Sequence, residues 1–171
     1  KMKKRIREMA QQLIRIAAAR MVREAPRLTP PAGVYDEFCA RFPYDETEDQ
    51  QRAIEATLDD LGKGRPMDRL VCGDVGFGKT EVALRAAFAA AINGRQVAVV
   101  APTTLLSRQH YKTFTQRFAG LPVKIAQLSR MVPAAQQKIA REGLEAGEID
   151  IVVGTHAVLD RKSTRLNSSH T

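Results

Sequence analysis

Tryptophan is absent from this 171-residue chain, and only two cysteines occur, Cys39 and Cys72. They stand far apart, so no C-x-x-C zinc or redox pattern can be written. Both read as small buried apolar residues of a reducing, cytoplasmic compartment. No apolar run approaches the roughly 20 residues that span a bilayer, so no membrane partner is expected. The basic start spaces its apolar residues apart, unlike a secretory leader. No internal repeat is visible. Acid is scarce only at the ends: residues 1–27 carry nine Lys/Arg against two Asp/Glu, and residues 161–171 carry three against none. The middle, 28–160, holds fifteen basic and seventeen acidic residues, so the net charge of +8 belongs to the two ends. A nucleic-acid footprint inferred from whole-chain charge is therefore excluded for the middle, where strand binding must rest on a few placed groups.

What is present is sharper. Gly73-Asp74-Val75-Gly76-Phe77-Gly78-Lys79-Thr80 is a complete G-x-x-x-x-G-K-T phosphate-binding loop. The apolar run Leu70-Val71-Cys72 precedes it, and an alanine-rich helical pattern follows, the strand–loop–helix context a true loop needs. Glycines let successive backbone N–H groups turn inward on phosphate oxygens, and the helix start adds partial positive charge. Lys79 is placed to reach the β- and γ-phosphates, and the Thr80 hydroxyl to ligate Mg²⁺. A bare glycine turn leaves Lys79-Thr80 unexplained. The loop predicts binding of a nucleoside triphosphate with Mg²⁺.

Residues 3–24 place Ile6, Ala10, Leu13, Ile14, Ala17, Met21 and Val22 at helical spacing, with lysines and arginines on the other face. This amphipathic helix is either a connector packed on its own protein or a polybasic helix for nucleic acid or membrane. Pro26, Pro30 and Pro31 end it. A short helical patch follows at 34–42, with Tyr35, Phe38 and Cys39 on one side. Thr47-Glu48-Asp49-Gln50 has capping-box form and opens a helix through Ile54, Leu58 and Leu61. Strands are then predicted at 70–72, 97–101, 123–128 and 149–153, alternating with helices at 79–92, 104–119 and 134–146. Short apolar strands alternating with helices predict an α/β fold, a parallel sheet with helices on both faces. Residues 161–171 have no period and read as a polar, non-native tail.

At the carboxyl ends of these strands, where an open α/β sheet places its ligands, lie Pro102-Thr103-Thr104-Leu105-Leu106, Ser129-Arg130 and Gly154-Thr155-His156. Together with Met67–Ala83, Val97–Leu106, Gln109-His110-Tyr111 and Ile149–His156, these segments resemble the superfamily-2 helicases and translocases, and within them the bacterial transcription-repair coupling factors. The fork-remodelling helicases are similar too, but usually carry serine at the position of Phe77 and Thr-Gly at Ser129-Arg130. The resemblance covers about residues 1–160. It implies a RecA-like P-loop domain at 34–160, the incomplete first half of an ATP-driven motor on double-stranded DNA in transcription-coupled repair, preceded by a linker helix at 1–33. RNA polymerase and repair proteins are then partners through regions outside this segment.

The resemblance also implies site roles. Gln50 reads adenine, since a carboxamide can pair with N6 and N7 of the base; the alternative is that it only completes the cap with Thr47. Phe42 or Tyr44 packs near the base or in the core. Thr103, Thr104, Arg130, Thr155 and His156 touch the DNA backbone, or act as helix caps and satisfied polar residues. The basic face of the N-terminal helix leans on neighbouring domains or DNA. The family's Asp-Glu-Glu-His motif and the arginines of a second motor domain do not occur in these residues, so this segment alone is expected to hydrolyse ATP poorly. In this family the metal-binding strand and its successor lie between the loop strand and the second strand; without them the sheet is expected to have a gap, leaving the isolated chain marginal or aggregation-prone.

Overall fold

The computed structural model describes residues 2–74 and 78–159. Val75, Gly76 and Phe77 of the expected loop, and the tail, lie outside the described residues. Three four-residue strands, β1 (Val97–Val100), β2 (Ile125–Leu128) and β3 (Ile151–Gly154), form one sheet in the order β1-β3-β2, with both pairings parallel. Six helices accompany them among the described residues: α1 (Met2–Met21), α2 (Ala32–Ala40), α3 (Glu48–Gly62), α4 (Lys79–Ile92), α5 (Thr104–Arg117) and α6 (Ala134–Glu145). A 3-10 turn, His156–Leu159, follows β3.

The topology explains the layering. The connection from β1 to β2 carries α5 past β3, and the return from β2 to β3 carries α6. Right-handed crossovers taken in opposite directions leave their helices on opposite faces. β3, the central strand, is buried on both. Its Ile151 and Val153 enter a core with Phe38, Leu84, Phe88, Phe114 and Phe118, while Val152 enters another with Leu128, Ala140, Leu144 and Val158. A strand covered on both faces has no polar alternation, as Ile151-Val152-Val153 shows. The first core is aromatic: Phe38 stacks on Phe88 with centroids 4.4 Å apart, and Phe118 lies 5.0 Å from Phe38. Phe38 is the side chain by which α2 is anchored.

Register places three chain segments side by side. Val100, Gly154 and Leu128 are aligned, so the residues that follow each strand emerge at the same edge of the sheet. α4 descends to β1 through the short segment 93–96, which puts its first turn at that edge as well.

The expected strand at 70–72 does not form. These residues join no strand pairing, and Leu70 is 86% exposed. A strand exists only through its ladder, and none of the described strands neighbours this one. The reading of Cys72 fails for the same reason: it is exposed, whereas Cys39 is half-buried. α1, expected to pack or bind through its stripe, has no buried residue; Arg20 near its end pairs with Asp68.

Gly154 is required by crowding. A Cβ there would lie 2.1 Å from the Leu128 carbonyl oxygen and 2.3 Å from Val158 Cγ2. Gly154→Ala must therefore part β2 from β3 or dislodge the 3-10 turn, and should cost about 1–3 kcal/mol as overpacking. Urea unfolding measures it; an unshifted midpoint would show that the strand ends separate freely.

Candidate nucleotide-binding site

The site begins at the cap of α3. Thr47 accepts from the Gln50 backbone N–H (3.3 Å), and the Gln50 side-chain oxygen accepts from the Thr47 N–H (2.9 Å), a reciprocal box that satisfies donors at the helix start. The same Gln50 touches the loop. Gly78 has φ +66°, a conformation that strains any side chain, and a Cβ there would sit 2.0 Å from Gln50 Nε2, so the carboxamide would also have to shift. Gln50 thus joins the start of α3 to the start of α4. The capping role of Gln50 is present in full, and its carboxamide also lies where the phosphate loop turns into its helix.

Lys79 opens α4 and folds back on the loop. Its Nζ donates to the carbonyl oxygens of Gly73 (2.5 Å) and Asp74 (2.6 Å). The ammonium is therefore held by the first two residues of the loop motif, where a bound phosphate would exchange with those carbonyls. The Thr80 hydroxyl, half-exposed, forms no hydrogen bond among the described residues. The seam between α3 and the loop, lined by Asp49, Gln50, Val71, Cys72, Gly73 and Lys79, holds only about 40 Å³. Ligand pockets run to several hundred, so this seam is too small to hold a nucleotide. A left-handed glycine, a lysine at the helix start and an available hydroxyl fit a triphosphate with its metal. The approach to the loop is fixed by Asp60 on α3, which accepts from Arg69 Nε (2.8 Å) and Lys63 (2.8 Å). Those hydrogen bonds hold its carboxyl below the ordinary range.

Behind the loop lies a cluster that sequence reasoning missed. Glu81 and Arg85 are buried in α4 at 3% and 6% exposure. Glu81 accepts from Arg85 Nε (2.9 Å) and from Arg117 Nη2 of α5 (2.5 Å). Arg85 also meets Glu46 and the Cys39 sulfur, and Arg117 donates to the Phe38 carbonyl (2.9 Å) and lies 4.5 Å over the Phe38 ring. Burial opposes the Arg85 charge, but hydrogen bonds to Tyr35 and Glu81 outweigh it and strengthen its hold on the proton. Burial pushes Tyr35 up to about 12, more than its hydrogen bond to Arg85 lowers it. The visible signal was an i, i+4 Glu–Arg pair inside a helix otherwise apolar all round. Arg117 gave none. Of the two aromatics considered for the base, Phe42 packs edge-on to Tyr44 at 5.6 Å and lies beneath Arg117, while Tyr44 is 74% exposed.

The residues proposed for the nucleic-acid backbone share the carboxyl edge of the sheet. Thr103 caps α5, accepting from Leu106 N–H (3.2 Å), and half-exposed Thr104 starts that helix. Arg130 is exposed on a turn clamped by Gln137, whose Nε2 donates to the Ser129 (3.1 Å) and Val132 (2.7 Å) carbonyls. Thr155 is buried and only its neighbour His156 reaches the surface. Thr103 therefore does carry the capping role set beside phosphate contact, and Thr155 does not present its side chain to solvent.

The sequence profile of the DEAD/DEAH box helicase family matches residues 47–170, most of the chain. The chain belongs to the DEAD/DEAH box helicase family. It is 50% identical over 165 residues to the transcription-repair-coupling factor of Rickettsia bellii (strain RML369-C), covering 94% of this chain and 15% of that protein. It is 48% identical over 155 residues to that of Escherichia coli (strain K12), covering 91% and 14%. The chain thus spans about one seventh of the length of these curated relatives. Among solved structures it is similar to RecG bound to a three-way DNA junction, with a TM-score of 0.78 and 32% identity over 85% of this chain and 20% of that one. The higher identity to the coupling factors agrees with the preference drawn from Phe77 and Ser129-Arg130. No described helix of this helicase-family chain is long and apolar enough to cross a membrane.

Glu81→Ala should remove about 3–5 kcal/mol by leaving two buried guanidiniums short of their carboxylate. Urea unfolding checks this, and a change within 1 kcal/mol would show the carboxylate to be dispensable. Tyr35 has its folded pKa above the 10.0 of a free phenol. Its contribution is therefore intact below pH 10 and lost as pH rises toward 12. Tyr35→Phe should flatten the fall in stability across that window; parallel curves would refute the assignment.

Proposed function

We propose that this chain is the ATP-binding half of an ATP-dependent translocase acting on double-stranded DNA in transcription-coupled repair. The observation that carries the reading is the junction of Gln50, Gly78 and Lys79 at the start of α4. It sits at the sheet edge that also bears Thr103, Thr104, Arg130 and His156. That the strand ends are aligned at one edge supports a phosphate site and backbone-contacting groups on the same side of the sheet.

In this reading Gly73, Asp74, Val75, Gly76, Phe77 and Gly78 would hold the phosphates, with the N-terminus of α4 adding its dipole. Lys79 exchanges its two carbonyl partners for phosphate oxygens, and Thr80 offers its hydroxyl to Mg²⁺. When bound, Mg²⁺-ATP supplies the phosphoryl group that is transferred to water. Gln50 turns its carboxamide to adenine while Thr47 keeps a share of the cap. Thr103, Thr104, Arg130 and His156 meet the DNA backbone without reading sequence, and Thr155 contributes through the turn that presents His156. No Asp-Glu-x-His occurs in the 171 residues. These residues alone therefore hydrolyse ATP slowly, since an arginine finger by itself adds on the order of 10³–10⁵ in rate. RNA polymerase, repair proteins and a cytoplasmic setting belong to the same reading. A fork-remodelling helicase is the second reading, favoured by the likeness to the junction-bound RecG structure.

Two variants of the full-length protein carrying this chain test the site. Lys79→Ala should abolish ATP binding by titration and with it turnover; unchanged affinity and turnover would refute the loop assignment. Gln50→Ala should weaken ATP more than GTP, besides losing about 1 kcal/mol of cap stability. Equal loss for the two nucleotides reduces Gln50 to a helix cap.

A further inference from the structure

α5 differs in charge from the rest of the middle of the chain. Thr104–Arg117 contains Arg108, His110, Lys112 and Arg117 but no aspartate or glutamate. Arg117 is consumed by Glu81. Arg108 and Lys112 are exposed and have no carboxylate partner among the described residues. The two unpaired cations line a groove of about 600 Å³ with Leu105, Gln109, Gln116 and Gln127. No acidic side chain lines it. Gln127 belongs to β2, an edge strand, and its register with Val153 places it on the α5 side of the sheet.

Direction and length identify the ligand class. The groove starts at Leu105, directly after Thr103 and Thr104, and runs to Gln116, about 16 Å along the helix at 1.5 Å per residue. A single phosphate or carboxylate cannot use that length. An extended polyanion can, with Arg108 and Lys112 one turn apart, about 6 Å of rise, and the carboxamides as neutral donors between and beyond them. Amide and guanidinium donors together suit phosphate oxygens, and exposed Leu105 offers an apolar seat beside them.

We propose that this groove is a second backbone track, in which Arg108 and Lys112 hold nucleic-acid phosphates as the strand leaves Thr103 and Thr104 and passes down α5. The inference rests on the reading of the sheet edge as a DNA-contacting surface. It adds a place, a direction and two cations to that surface.

The test uses the full-length protein and a labelled random-sequence duplex, with affinity followed against salt. Each lost phosphate contact lowers the log–log slope by about 0.9, so Arg108→Gln with Lys112→Gln should lower it by about 1.8 and weaken binding roughly tenfold or more near physiological salt. ATP affinity should be unchanged. Arg130→Gln, assayed beside it, separates the two claims. A reduced slope for Arg130→Gln with none for the double variant overturns the track and leaves the sheet edge standing. Failure of the unmutated protein to bind duplex sinks both. Retained duplex binding with lost binding to polyglutamate overturns the track in favour of an acidic protein partner. In the unmutated protein, duplex should also shield Lys112 from acetylation, read by mass spectrometry; equal labelling with and without duplex overturns the inference independently of any variant.

Discussion

A single carboxylate, Glu81, holds the two layers of this site together. It stands one residue beyond Thr80 and accepts from a guanidinium on its own helix and from another on α5. Buried charge is costly unless each member finds several partners, and here they do. Arg85 has Glu81, Glu46 and the Cys39 sulfur; Arg117 has Glu81, the Phe38 carbonyl and the faces of two aromatic rings. The result is a fixed distance between the first turn of α4 and the body of α5. The helix that Lys79 opens and the helix that Thr103 caps are therefore joined directly by this carboxylate. Hydrophobic packing alone, which is non-directional, would not set that register.

How far this was readable from sequence depended on whether the cue was local. The α3 cap was spelled out in four residues, Thr47 to Gln50, and formed as written. α4, α5 and α6 appeared where alanine-rich or amphipathic periods ended at Asn93-Gly94, Gly120 and Gly147, and three strands fell within two residues of their expected bounds. The strand at 70–72 was not a local matter. Its apolar run is genuine, yet a strand needs a ladder, and Leu70 among the described elements has none. Cys72 followed it into solvent. Sequence composition counts side chains and says nothing of who lies alongside.

The candidate site divides along the same line. Gly78 could be singled out as the loop's last glycine, but its contact with Gln50 spans 28 positions and needed coordinates. The Glu81–Arg117 pair, 36 positions apart, left no trace in any period. Thr103 and Arg130 were placed at strand ends correctly because a parallel sheet delivers every strand end to one edge. Of the two roles open to Thr155, its burial fits the satisfied polar residue: the residue after a central strand is still covered by its neighbours, and the chain reaches solvent at His156.

Gln50 makes two demands on one side chain, and their combination constrains how the site can work. Its oxygen accepts from Thr47, and its Nε2 lies against Gly78. A base that recruits this carboxamide must therefore compete with the helix cap, and the cap is worth on the order of 1 kcal/mol. That cost is small against nucleotide binding, yet it is charged at the hinge between α3 and the loop helix. Lys79 stands in a parallel position, since its ammonium is held by the Gly73 and Asp74 carbonyls. In the reading proposed above, a base at Gln50 and a phosphate at Lys79 would each replace an internal partner, so a ligand that carries both a purine and a triphosphate would offset both costs at once.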